Sequence, residues 1–308
     1  MDRTHAREIS YASSASGRGG RALIRLLENT TGRPSLLRRA RGYDAQVGQG
    51  ADLWDVLSER FGLSLDVTAG ALGDIRATGP LILVANHPYG ILDGLTLGRI
   101  LSQRRAGDFR ILANSVFMRA SDIGRFILPI SFDGTRDAVM QNVATRRAAL
   151  DYLAGGGAIG IFPGGTVSTA TGPLSPPLDP MWRSFTAKMI AATGATVVPV
   201  FFEGANSRLF QLASHLHTSL RLGLLIREFR ARVDRPVRVV IGKPVDPAAL
   251  DALRHDPKAC MDFLRQRTYA LSSRPIDITR LGHEFEARQK VRDGGGNFRQ
   301  RLGRADRL

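Results

Sequence analysis

From about residue 75 onward, short apolar runs alternate with longer amphipathic stretches, and that order predicts an α/β fold, a mixed central sheet flanked by helices. Leu81–Ala85, Phe109–Phe117, Ile127–Phe132, Ala158–Phe162, Thr196–Phe202 and Val237–Ile241 are short and apolar, as strands buried on both faces are. Helical patterning fills about Gly94 to Leu101, Asp137–Ala154, Trp182–Thr193, Ser207–Arg230 and Pro247–Leu271. In Asp137–Ala154, Val139, Val143, Leu150 and Leu153 form the expected inner side, Arg146 and Arg147 lie opposite, and Gly155 is the stop. Upstream, Arg21–Glu28, Ser35–Arg41 and Leu53–Phe61 read as short helices, the first two amphipathic with arginine on the polar side. The expected organisation is a polar, disordered start (1–20), an N-terminal helical segment (21–74), the α/β domain (75–273) and a polar mobile tail (274–308).

Charge adds a partner class. The 308 residues carry a net charge of +15 with only four lysines, so the basic character is almost all arginine. Such a chain favours a polyanion, either nucleic acid or an anionic bilayer, where each basic residue near the lipid contributes roughly 1 kcal/mol. The sequence shows no helix-turn-helix, zinc knuckle or aromatics interleaved with the basic residues, so no nucleic acid partner is expected. The basic amphipathic segments suit either a membrane surface or simple packing on the domain with their arginines in water. No stretch reaches the ~18 apolar residues of a membrane span, and no charged-then-apolar leader is visible. The expected location is therefore cytoplasmic, peripheral on the inner face of the membrane. The single cysteine, Cys260, excludes a disulfide framework and a cysteine-rich zinc site, and its apolar helical surroundings make it a packing residue.

Candidate chemistry concentrates in Asn86-His87-Pro88-Tyr89-Gly90-Ile91-Leu92-Asp93-Gly94, directly after the first apolar run. Pro88 keeps His87 out of helical backbone, which places the imidazole at a strand exit, where α/β proteins gather ligands. A carboxylate that holds a histidine fixes its tautomer and leaves the other nitrogen ready to accept a proton. Spacing alone is equally compatible with Asp93 as a helix N-cap and His87 as a turn residue. The block resembles the first signature of the glycerolipid acyltransferase superfamily, the lysophosphatidic acid acyltransferase-like enzymes. Most members space the pair as His-x4-Asp. The His-x5-Asp form here is similar to the hemolysin-like branch, related to the ornithine-lipid acyltransferases.

Phe162-Pro163-Gly164-Gly165-Thr166-Val167-Ser168 reads as a glycine turn after a strand, and its backbone amides could also face an anionic oxygen. It resembles the superfamily block Phe-Pro-Glu-Gly-Thr-x-Ser, with Gly164 in place of glutamate and Val167 in place of the common basic residue. In relatives those charges are associated with a glycerol-phosphate acceptor, so their absence favours an amino-acid lipid or another lysolipid. Phe132-Asp133-Gly134-Thr135-Arg136 stands where the resemblance places an arginine block. Arg136 there is either a headgroup ligand or an exposed surface arginine. Val198-Pro199-Val200-Phe201-Phe202-Glu203-Gly204 is similar to the fourth block, with Glu203 facing a cationic headgroup if it contacts one, and Ala205–Phe210 resembles the hemolysin-like branch. The resemblance spans about residues 75 to 245.

It implies an acyltransferase that takes a fatty acyl group from acyl carrier protein or coenzyme A and passes it to a hydroxyl or amine of a lipid acceptor. His87 and Asp93 would be catalytic. Asn86, Gly90, Phe162, Pro163, Gly164, Gly165, Thr166, Ser168, Arg136 and Glu203 would bind substrate, with no metal and no resident cofactor. A non-catalytic membrane scaffold or a nucleic-acid-binding protein is the alternative. Gly155–Gly160 matches a dinucleotide fingerprint, but it follows a helix and precedes a strand, the reverse of that motif's geometry. Walker, zincin and Gly-x-Ser-x-Gly signatures are absent from the sequence.

Overall fold

The computed structural model describes residues 10–285 other than 16, 120 and 132–134. Its helices are α1 (Arg18–Thr31), α2 (Arg33–Ala40), α3 (Tyr43–Gly48), α4 (Leu53–Arg60), α5 (Ile91–Arg105), α6 (Ser121–Gly124), α7 (Arg136–Ala154), α8 (Phe185–Thr193), α9 (Arg208–Leu216), α10 (Thr218–Arg230), α11 (Pro247–Ala252) and α12 (Pro257–Tyr269). The strands are β1 (Ser64–Ala69), β2 (Leu81–Ala85), β3 (Phe109–Asn114), β4 (Ile127–Ile130), β5 (Ala158–Ile161), β6 (Thr196–Phe202) and β7 (Pro236–Ile241). They form one seven-stranded mixed sheet in the order β1-β7-β6-β2-β5-β3-β4, parallel at every pairing except the antiparallel β6–β7.

All five residues of β2 are buried, and they alternate between two cores. Leu81, Leu83 and Ala85 join Trp54 of α4 and Leu97 and Ile100 of α5. Ile82 and Val84 face the other way, toward Ala149 and Leu153 of α7, Met189 of α8 and Leu264 of α12. The three prolines inside strands sit where no ladder donor is missed, Pro236 being the first residue of β7. Pro129 lies on the edge strand β4, and Pro199 precedes Val200, where the pairing of β6 with β7 stops.

Several elements differ from the sequence expectation. The sheet begins earlier than residue 75, because Ser64–Ala69 forms the half-exposed edge strand β1, too polar to register as a buried run. The strands expected to reach Phe117 and Phe132 stop at Asn114 and Ile130, and Phe132–Gly134 lie outside the described residues. The expected helix 207–230 breaks at His217, which takes extended backbone (φ −161°, ψ 139°) and caps α10 by accepting the N–H of Ser219 on Nδ1. The helix expected over 247–271 breaks before Pro257, where Asp256 accepts the N–H groups of Lys258 and Ala259. α7 keeps Leu150 and Leu153 on the core side as expected, but Val139 and Val143 are 58% and 59% exposed, while Ala138, Thr145 and Ala149 face inward.

At the N-terminus, Ser10 Oγ and the N–H of Tyr11 bond the carboxylate of Glu28, so the described part of the polar start packs against α1. At the other end, residues 274–285 cross the domain. Ile276 and Ile278 pack on Leu178 and Tyr269, the N–H of Gly282 bonds Asp179 O, and that of His283 bonds Thr169 O. The tail expected to be mobile from residue 274 thus covers one side of the sheet's edge. Residues 286–308 lie outside the described residues.

Candidate active site

Three neighbouring parallel strands end on one edge of the sheet, with β2 between β5 and β6. They deliver the loops 86–90, 162–169 and 203–207 to a common place, the C-terminal edge where open α/β sheets hold ligands.

Gly90 takes φ +89° to turn the chain from Pro88 into α5, and Asp93 occupies the third position of that helix. Asp93 Oδ2 accepts the N–H groups of Tyr89 (2.8 Å) and Gly90 (2.9 Å) and lies 2.9 Å from His87 Nδ1. Gly90, not Asp93, is the N-cap of α5; Asp93 reaches back to the helix start from its third position and also faces the imidazole. The Nδ1–Oδ2 contact is close but poorly aligned as a hydrogen bond, a state that commonly tightens when substrate binds. Burial pushes the Asp93 carboxyl above its ordinary range, and His87 with the two amides pulls it back toward ionisation. Phe162 stacks on the imidazole at 4.2 Å and 22°. The His87 side chain is 17% exposed although its Nδ1 is sealed, so the accessible part of the ring is the edge that carries Nε2.

The backbone of His87 is held by a residue that the motifs do not contain. Asp179 has no exposed surface. Its Oδ1 accepts the His87 N–H (3.1 Å) and the Ser168 hydroxyl (2.5 Å), and its Oδ2 accepts Trp182 Nε1–H (2.9 Å). The N–H of Ser168 returns to His87 O at 2.7 Å, which couples the β2 and β5 loops directly. A signal for Asp179 existed: it is the one charged residue between Asp151 and Arg183. A Cβ on Gly164 would lie 3.3 Å from the Asp179 side chain, so this carboxylate fills the space beside Gly164, where the resembling motif carries glutamate.

The other expected site residues divide. Asn86 is spent on the fold, its amide pairing with both N–H and C=O of Phe202 and extending the β2–β6 ladder. Pro163 and Gly164 form a turn closed by Gly165 N–H to Phe162 O (3.0 Å), so the Gly165 amide is engaged. The N–H groups of Gly164, Thr166 and Val167 find no acceptor among the described residues. Ser168 is buried against Asp179. Glu203 accepts the Ser273 N–H (2.8 Å) and its carbonyl accepts the Tyr89 hydroxyl (2.7 Å), so it braces the 89 loop and the 273 segment. Tyr89 also passes so close to Gly204 (φ +102°) that a Cβ there would sit 2.0 Å from its hydroxyl. Arg136 is exposed at the start of α7, which follows β4, three strand positions from β2, or about 14 Å at ordinary inter-strand spacing. The structure does not bring it to the dyad's loops. Arg221 of α10, not singled out from the sequence, does reach the β5 loop, at Thr166 and Val167.

The model of the acyltransferase family matches residues 60–277. The chain belongs to the acyltransferase family. Among curated proteins this acyltransferase is similar to two lyso-glycine lipid O-acyltransferases. That of Phocaeicola vulgatus is 26% identical over 235 residues, covering 74% of this chain and 80% of the relative. That of Bacteroides thetaiotaomicron is 24% identical over 216 residues, covering 68% and 76%. Among solved structures, the 1-acyl-sn-glycerophosphate acyltransferase PlsC from Thermotoga maritima aligns over 83% of this chain and 98% of its own, with a TM-score of 0.45 and 17% identity. What the family match establishes is acyl transfer as the class of reaction. Among its described residues no helix is long and apolar enough to cross a membrane, and no group of three or more His, Cys, Asp or Glu could hold a metal ion. Cys260 is buried, and burial pushes its thiol up, away from nucleophilic use.

Proposed function

We propose that this acyltransferase moves a fatty acyl group from a thioester, on acyl carrier protein or coenzyme A, to the hydroxyl of a lyso amino-acid lipid, with His87 as general base. The observation that carries the reading is the 2.9 Å approach of His87 Nδ1 to buried Asp93, with the Nε2 edge left accessible. A proton kept on Nδ1 by the nearby carboxylate leaves Nε2 unprotonated. The acceptor hydroxyl attacks the thioester carbonyl as its proton passes to Nε2, a contribution typically worth ~10²–10⁴ in rate. The tetrahedral oxyanion takes the unused N–H of Gly164, and its collapse forms the ester bond, breaks the C–S bond and returns the proton from Nε2 to the thiolate. Two features together support the acceptor class: the activity for which the curated relatives are named, and the departure of Gly164 and Val167 from the charged residues associated with glycerol phosphate. A scaffold or nucleic-acid-binding role would leave the buried pair unused. The test is transfer by the purified chain from acyl carrier protein or coenzyme A thioester to a hydroxyl-bearing lyso-glycine lipid. Formation of the O-acyl product by mass spectrometry is expected, and its absence with both donors would defeat the reading.

Surface chemistry supports peripheral membrane attachment as part of the same proposal. α9 turns Leu209, Leu212 and Leu216 outward at 51%, 50% and 73% exposure, and these positions share one helical stripe. α1 exposes Leu23 and Leu26 beside Arg18, Arg21 and Arg25. Both helices pack on α10, so the two leucine sets border one helical layer. Outward leucines flanked by arginine fit an anionic bilayer. Changing Leu209, Leu212 and Leu216 together to serine is expected to weaken vesicle binding at least ~10-fold, given ~0.8 kcal/mol per buried methylene. Co-sedimentation with vesicles containing an anionic phospholipid would show it, and unchanged binding would remove α9 from the contact.

A further inference from the structure

α10 buries a guanidinium with no carboxylate beside it. Arg221 is 6% exposed and forms no ion pair among the described residues. Its Nη1 donates to Thr169 Oγ1 (2.6 Å) and Ser214 Oγ (3.0 Å), and its Nη2 donates to Thr166 Oγ1 (3.0 Å) and Val167 O (2.7 Å). Phe285 and Phe210 flank it, their ring centroids 4.3 and 5.1 Å from its central carbon. Burial pulls this guanidinium down to about 9, so it remains charged at neutral pH. An uncompensated buried charge is costly, and the four Nη hydrogens all go to neutral oxygens, so the positive charge of Arg221 has no counter-anion among the described residues.

The neighbouring hydroxyls and amides differ in whether they have a donor to spare. Thr169 and Ser214 pass their hydroxyl hydrogens on to Val167 O and Phe210 O, so both are closed. Thr166 is different. It is half-buried, its Oγ1 takes a hydrogen from Arg221, and its own hydroxyl hydrogen has no acceptor among the described residues. The backbone N–H groups of Thr166 and Val167 are likewise unused. One hydroxyl and two amides beside a cation make a receptor for an anionic oxygen. It also sits in the loop whose next residue, Ser168, bonds the backbone of His87.

Two charged side chains from elsewhere in the chain thus stand at this loop, Asp179 against Gly164 and Arg221 at Val167. We propose that Arg221, acting through Thr166 Oγ1 and the amides of Thr166 and Val167, recognises the carboxylate of the acceptor lipid. A carboxylate suits the site better than a phosphate monoester, because one guanidinium matches one negative charge and a phosphate carries up to two. An amino-acid lipid acylated on its nitrogen keeps such a carboxylate. The inference rests on the acyl-transfer reading of the same site and specifies what its acceptor must carry.

The test compares kcat/KM of the full chain for three acceptors: an N-acylglycine with a hydroxyl on its acyl chain, the carboxamide of that molecule, and a 1-acylglycerol 3-phosphate. The wild type is expected to favour the free carboxylate by at least about 10-fold over the carboxamide, the usual range for a charge-assisted contact. Thr166→Val keeps the side chain's shape and removes only the hydroxyl. It is expected to raise KM for the carboxylate several-fold while changing the carboxamide little, and Arg221→Gln is expected to erase the preference. Full preference in Thr166→Val, or a wild type that acylates carboxylate and carboxamide equally or favours the phosphate, overturns the carboxylate assignment while leaving acyl transfer in place. No transfer to any acceptor overturns the functional reading and this inference with it.

Discussion

His87→Ala is expected to lower kcat for acyl transfer by about 10²–10⁴, the usual worth of a general base, with the fold retained. Retention follows from the surroundings. The imidazole is partly exposed and makes one stacking contact with Phe162, whereas the backbone of residue 87 is held by Asp179 and Ser168 whatever the side chain. The variant does leave Asp93 buried with only its two amide donors. Burial raises this carboxyl in the folded state, and His87 is one of the influences that lower it, so its removal shifts the group further upward. A carboxyl raised on folding favours the folded state while protonated, and that advantage is lost as pH rises through the folded pKa. The stability deficit of His87→Ala relative to the wild type should therefore grow from acid toward neutral pH. Denaturant midpoints at several pH values measure it, and a deficit that shrinks with rising pH would contradict the assignment.

Asp179→Ala is expected to be the most destabilising single change near the site, about 3–5 kcal/mol. It strands three buried donors, the His87 N–H, the Ser168 hydroxyl and Trp182 Nε1–H, and an unsatisfied buried donor costs ~1–3 kcal/mol. Activity should fall with stability, because the same carboxylate fixes His87 to the β5 loop. Asp179→Asn keeps the shape but replaces one acceptor oxygen by a donor, so an intermediate loss is expected. Urea unfolding of the three proteins checks the order, and an Asp179→Ala midpoint near that of the wild type would mean that the hydrogen bonds are dispensable.

Local patterns were readable where local physics determines the outcome. β2, β5 and, after Thr196, β6 are buried on both faces, so their residues are apolar and stand out in the sequence. The His87–Asp93 relation lies within one turn and one helix start, so spacing sufficed to bring it into view. β1 did not stand out, because an edge strand with one half-exposed face carries Asp66 and Thr68 among its apolar residues. Periodicity put Leu150 and Leu153 on the core side, where they lie, but misplaced Val139 and Val143 of α7. Its inner side uses Ala138 and Ala149, small residues suited to close helix–sheet contact, so the larger Val139 and Val143 drew the expected face outward. The breaks at His217 and Pro257 carried cap signals that a continuous apolar pattern obscured.

What could not be read was the set of contacts made from a distance. Asp179 and Arg221 meet the site across separations of 92 and 55 residues, from His87 and Thr166 respectively. No local periodicity links them to it. Arg221 was further hidden by the abundance of arginine in the chain. Asn86 shows the converse: its place in the motif suggested a ligand contact, yet both ends of its amide complete the sheet.

A double-mutant cycle on His87 and Asp93 probes the catalytic unit itself. With single-turnover transfer rates for His87→Ala, Asp93→Asn and the pair, residues acting as one unit give non-additive losses. The double variant should be no slower than His87→Ala alone. Losses that multiply, or Asp93→Asn turning over at the wild-type rate, would show that the carboxylate only braces the start of α5 and takes no part in holding the base.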